Sequence, residues 1–153
     1  MNQHDSRISN PHQASGRAFT LVEILVVVVL LGILAAIALP KFLSAFTDSR
    51  EKTVQMDLHR IRSQLGIYRQ QHASYPSNAN FVNQMTLASD ADGNTAAIGT
   101  LGFPLGPYIQ RIPVNPMTGS KAVGNGAVGT SDWYYDETTG AFHANDTAES
   151  FTF

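Results

Sequence analysis

From Ile24 to Leu39 the chain reads ILVVVVLLGILAAIAL, sixteen residues in which Gly32 alone falls outside the Ala, Val, Ile and Leu set. Phe19, Leu21 and Val22 extend the run backwards past Thr20 and Glu23, making a segment of 21 residues that ends at Leu39. As a helix it measures about 31 Å, close to the roughly 30 Å of hydrocarbon in a bilayer. The whole chain has 153 residues, 43% hydrophobic and only 14% charged, against about 25% charged in an average soluble domain. The apolar residues are concentrated in this one segment, and the remainder is less apolar than the chain as a whole.

Three readings compete for the segment. A core helix apolar on every side would have to be covered completely by that polar remainder. A secretory signal peptide is compatible with Arg7 and Arg17 ahead of the run and with Ala36-Ile37-Ala38 as a cleavage site; it would release a secreted, non-enzymatic binding domain after Ala38. The third reading is a membrane anchor that stays attached. The run slightly exceeds a usual signal-peptide core, and Glu23 stands where such a core should begin, which favours the anchor.

A carboxylate within an apolar span costs about 2.5–3.5 kcal/mol on insertion scales, so Glu23 calls for a partner or a way out to interfacial water. A free α-amino group, with a pKa of about 8, is a natural partner if the chain is cut just upstream.

The residues upstream supply such a cut. Gly16-Arg17-Ala18-Phe19-Thr20-Leu21-Val22-Glu23-Ile24-Leu25, the apolar run, and Ala38-Leu39-Pro40-Lys41-Phe42 together resemble the N-terminus of type IV pilins and type II secretion pseudopilins. The resemblance implies that a prepilin peptidase removes a leader, residues 1–18, by cutting between Ala18 and Phe19. Phe19 would then be N-methylated, and Glu23 and Pro40 would fall where the family has its Glu and Pro. One departure is Ala18 immediately before the cut, where the family normally has Gly; Gly16 lies two residues earlier, and cutting there would shift Glu23 out of register.

The resemblance also implies a role for Glu23 in assembly: the Glu of an incoming subunit neutralises the N-terminal amine of its neighbour inside the filament. The implied partners are further copies of the chain, minor pilins or pseudopilins, the prepilin peptidase and an inner-membrane assembly platform. The implied location is the bacterial inner membrane, crossed once, with the head in the periplasm. A type IV pilin would instead end in an extracellular filament for adhesion, motility or DNA uptake. The absence of cysteine leans towards a type II secretion pseudopilin, because many type IV pilins carry a C-terminal disulfide loop. Charge placement adds little on orientation, since Arg7 and Arg17 precede the run while Lys41, Arg50 and Lys52 follow it.

Past Pro40, which should kink the helix or loosen a turn, apolar residues recur at Phe42, Phe46, Val54, Leu58, Ile61, Leu65 and Tyr68. That spacing predicts an amphipathic continuation over 40–73. Arg50, Glu51, Arg60, Arg62 and Arg69 occupy the other face as a solvated or inter-subunit surface. Ser74-Tyr75-Pro76-Ser77-Asn78 ends the helix.

The head, 74–153, is expected to open with a loop containing a short helix around 80–87. The segment Gly106–Gly119 resembles the stretch that precedes the sheet in major pseudopilins. Strands are expected at Trp133–Tyr135 and Ala141–His143, joined by the turn Asp136–Gly140, with Phe151 and Phe153 closing the edge. The fold class is therefore α+β, a long N-terminal helix against a small antiparallel sheet.

Sites for chemistry are sparse. Asp90-Ala91-Asp92-Gly93-Asn94 superficially suggests a calcium loop, but Thr95 stands where an EF-type loop needs Gly and Leu101 where it needs Glu; a polar turn is expected. Major pseudopilins carry calcium in a C-terminal loop, and the resemblance directs attention to Asp132 and Asp136, although the family's acidic, Gly-rich run is not clearly matched. The histidines at 4, 12, 59, 72 and 143 have no metal-ligand or triad spacing. No phosphate-binding or dinucleotide motif is present. With 10 Lys+Arg against 12 Asp+Glu, no nucleic-acid partner is expected. The sequence thus describes a structural protein, with no enzyme and no resident cofactor expected beyond that calcium option.

Overall fold

The computed structural model describes residues 19–148 and 150. The leader, Ala18 on its side of the cleavage site, and the edge residues Phe151 and Phe153 therefore lie outside the described residues.

The long helix is α1, Leu21–His72, 52 residues. It runs on through Pro40, whose missing N–H leaves the carbonyl of Ala36 without its helical donor. Ala73 ends it with φ of 58°, the left-handed conformation that closes many helix C-termini.

The chain divides into two units between Leu43 and Ser44. In the first, every described side chain is exposed, including the whole apolar run. An apolar surface this continuous is not stable in water and marks a membrane or assembly surface. By length and composition, α1 can cross a bilayer.

In the second unit α1 buries Val54, Leu58, Ile61, Leu65 and Tyr68, alternating four and three residues apart along one face. Phe42 and Phe46 sit on the same sequence stripe but remain exposed, at 68% and 49%. The guanidinium of Arg50 instead covers the Phe46 ring, 4.3 Å from its centroid. The buried stripe begins only at Val54 because the core residues beyond α1 pack from there onward.

A 3-10 turn at Asn78–Asn80, capped by the Ser77 side chain, leads into α2, Phe81–Thr86. Then come β1, Ala88–Ser89, and β2, Thr95–Ala96, paired antiparallel where the sequence suggested only loop. Strands of two small residues carry almost no local β signal. The turn between them is the expected polar one: Asp90 Oδ1 accepts the N–H groups of Asp92 and Asn94.

The second sheet has the order β3-β4-β5, with β3 at Val123–Gly124, β4 at Trp133–Tyr135 and β5 at Phe142–Ala144. The expected antiparallel pair is present, Trp133 opposite Ala144 and Tyr135 opposite Phe142. β3 joins β4 in parallel, so this sheet is mixed. Strand β5 starts one residue later than expected, because the Asp136 N–H donates to the Ala141 carbonyl and the Gly140 N–H to that of Asp136, making Ala141 the end of the turn.

Trp133, Tyr135 and Phe142 are fully buried with Phe81, Met85, Ile109 and Ile112 beneath the α1 stripe. The rings of Phe81 and Tyr135 lie 4.2 Å apart, and those of Trp133 and Phe142 5.6 Å apart. This is the α+β arrangement expected.

Candidate functional site

The residues that the N-terminal pattern singles out gather at the start of α1. Thr20 is its cap, and Glu23 is the third residue of its first turn. The Thr20 backbone N–H and hydroxyl each donate to Glu23 Oε2 over 2.9 Å, and the Glu23 N–H donates back to Thr20 Oγ1 over 3.2 Å. This reciprocal pair is a capping box, in which two otherwise unpartnered helix-end donors are satisfied. Thr20-Leu21-Val22-Glu23 fits the T-x-x-E pattern, so the box was legible in the sequence and was missed beside the more conspicuous membrane question. Both donations to the carboxylate fall on Oε2; among the described residues Oε1 receives none. Phe19, one residue before the cap, is 77% exposed.

Asp132 and Asp136 flank β4 at its two ends, so their Cα atoms are about 13 Å apart at strand rise. Each carboxylate is already engaged by hydrogen-bond donors. Asp132 Oδ2 accepts the Ala122 N–H over 2.6 Å. Burial opposes its charge, but hydrogen bonds involving Thr118, Ala122 and Ser120 prevail and hold its pKa below the ordinary carboxylate value. Asp136 accepts the Thr139 hydroxyl and the Thr138 N–H, within its own turn. These two residues do not meet around one ion, and among the described residues no three His, Cys, Asp or Glu side chains converge. Asn115 and Asn145, both fully buried, lie in the same region; a lone Asn between Val114 and Pro116 gives no local sign of burial.

A second polar cluster closes the C-terminal end of α1. His72 Nε2 is 2.9 Å from the Tyr108 hydroxyl and 3.3 Å from Ser89 Oγ, while its Nδ1 faces the Ala91 carbonyl. Ser89 is completely buried, out of reach of a substrate, and the ring is oriented by a carbonyl where a catalytic triad would use a carboxylate. Burial, with Tyr108 and Asp90 adding to it, pushes the neighbouring Tyr68 hydroxyl up to about 12. The cluster therefore joins the helix end to β1.

An apolar helix left bare at its N-terminal half, a carboxylate in its first turn and a small α+β unit built on its second half define a membrane-anchored, pilin-like subunit. Residues 15–39 match the family profile described as the prokaryotic N-terminal methylation motif. The chain is 30% identical over 100 residues to the type II secretion system core protein G of Klebsiella pneumoniae, covering 65% of this chain and 68% of that protein. It is 33% identical over 104 residues to the protein of the same name from Pseudomonas aeruginosa, covering 68% of each. With the Escherichia coli protein of that name the identity is 26% over 100 residues, 65% of this chain and 66% of that one. No solved structure gives a significant match. The chain belongs to the type II secretion system core protein G family of pseudopilins.

Proposed function

We propose that this chain is the repeating structural subunit of a periplasmic pseudopilus that drives protein secretion, anchored before assembly in the bacterial inner membrane with 44–153 on the periplasmic side. Its leader is removed between Ala18 and Phe19, and Phe19 is N-methylated. The partners are other copies of the chain, minor pseudopilins, the prepilin peptidase and the inner-membrane assembly platform. Pro40 loosens the helix where the apolar span gives way to the amphipathic half. The subunit acts by packing and performs no catalysis.

The observation that carries this reading is the half-committed carboxylate of Glu23 at the head of a wholly exposed apolar helix. Oε2 caps its own helix, and Oε1 is left to a partner outside the chain. The α-amino group of a cleaved neighbour, also placed in an apolar medium, is the complementary charge; each is costly alone and tolerable paired. A surface type IV pilus would use the same pairing, but the core protein G relatives favour the secretion filament.

Two substitutions separate the roles of Glu23. Glu23→Gln keeps a capping side chain but removes the charge, whereas Glu23→Ala removes both. Both variants should insert into the membrane and lose the leader, and both should fail to form filaments, as read by cross-linking and electron microscopy. Normal filaments from Glu23→Gln would reduce the residue to a helix cap and refute the charge pairing.

A further inference from the structure

The family resemblance implies calcium in the C-terminal loop, and the donor chemistry of this chain disagrees with it. We infer that the C-terminal region is closed by a metal-free clamp centred on Asn115, in which amide and hydroxyl donors take the part a cation would play.

Asn115 is fully buried and opens a loop, closed by its own N–H to the Ser120 carbonyl and by the Gly119 N–H to its carbonyl. Its Oδ1 accepts the Met117 N–H. Its Nδ2 reaches out of the loop, donating to the Asp132 carbonyl at 3.0 Å and to Asp146 Oδ1 at 3.4 Å. One amide therefore joins the 115–120 loop, the entry to β4 and the segment after β5.

Asp132 completes the junction. Its carboxylate accepts the Ala122 N–H, its own N–H donates to the Ala122 carbonyl, and its carbonyl also accepts the Asn145 N–H. Asn145 Nδ2 ties in the Ala127 carbonyl and Ser131 Oγ, and Asp146 Oδ2 accepts Ser150 Oγ.

Calcium requires about six to eight oxygen ligands converging on one point. Here Asp132 Oδ2 and both carboxylate oxygens of Asp146 face N–H and O–H groups, which present positive hydrogens and would repel a cation. Among the described residues, Asn145 Oδ1 is the buried side-chain acceptor without a partner. A single neutral oxygen falls far short of a calcium shell. The same donors that prevent the ion from binding neutralise the carboxylates in its place, as charge-assisted hydrogen bonds do.

Trp133 reports on the clamp directly. It is the sole tryptophan, is buried in β4, and donates its Nε1–H to the Pro113 carbonyl beside the loop. Thermal unfolding of the full chain in detergent, followed by its fluorescence, should give the same Tm with added calcium as with chelator. Asn115→Ala should lower Tm by roughly 4–15 °C in both conditions, and Asn115→Asp, which keeps the Oδ1 acceptor but loses the donor, should lower it with chelator present. A wild-type Tm raised several degrees by calcium, or an Asn115→Ala Tm equal to wild type, would overturn the clamp. The wild-type comparison decides the matter even if neither variant folds. Its failure would leave the Glu23 assembly reading untouched.

Discussion

The Tyr135 hydroxyl donates to the Pro76 carbonyl over 2.7 Å, and both residues are buried. They are 59 positions apart, so this bond ties the middle of the second sheet to the segment that leaves α1. Burial and the neighbouring acids push the Tyr135 pKa above the ordinary phenol value, so the hydroxyl keeps its proton and remains a donor at any physiological pH. Tyr135→Phe preserves the ring packing against Phe81 and leaves the Pro76 carbonyl buried without a partner. The expected cost is about 1–3 kcal/mol, measured as a lower denaturation midpoint by Trp133 fluorescence; an unchanged midpoint would mean that water replaces the hydroxyl at no cost.

Gly140 is held at φ of 73° at the end of the turn between β4 and β5, and a Cβ there would run into the Tyr75 ring. Tyr75 is also placed by Arg69, whose guanidinium lies 4.9 Å from the ring centroid and donates to its hydroxyl. Gly140→Ala therefore pays the left-handed penalty of about 1–2 kcal/mol and must displace a ring already engaged. A loss of at least that size is expected in chemical denaturation. The double variant Gly140→Ala with Tyr75→Ala should cost less than the sum of the two single changes, and strict additivity would show that the ring is not what the methyl meets.

Asp132 makes stability depend on pH in a definite direction. Its folded pKa lies below the ordinary carboxylate value, so between the two values the folded state binds fewer protons than the unfolded one. The stabilisation is fully present above the unfolded pKa of about 3.9 and is lost as pH falls through the folded value. Asp90 and Asp136, held low by hydrogen bonds from Asn94 and from Thr139 and Thr138, act in the same sense. Denaturation midpoints should therefore fall steeply below about pH 4. Asp132→Asn should be less stable than wild type at neutral pH but lose less on acidification, and a parallel decline in both proteins would remove Asp132 as a source of the slope.

The sequence by itself determined everything that depends on a single segment. The apolar run, its length matched to a bilayer, the carboxylate near its start and the cleavage pattern ahead of it are local, because a helix satisfies its own backbone and a membrane needs only a continuous apolar surface. The α1 stripe from Val54 to Tyr68 and the Trp133 strand were legible for the same reason, periodicity within one element. Even the Thr20–Glu23 box was there to be read.

Only the tertiary structure decided which parts of that stripe join the core, with Phe42 and Phe46 remaining exposed, and that Val123–Gly124 adds a parallel strand to the sheet. It also decided that Asp132 and Asp136 stand at opposite ends of a strand while Asn115, Asp132, Asn145 and Asp146 meet. Short strands and buried amides leave little imprint on neighbouring residues. Their partners lie tens of positions away, and a buried polar group is defined by the contacts that satisfy it.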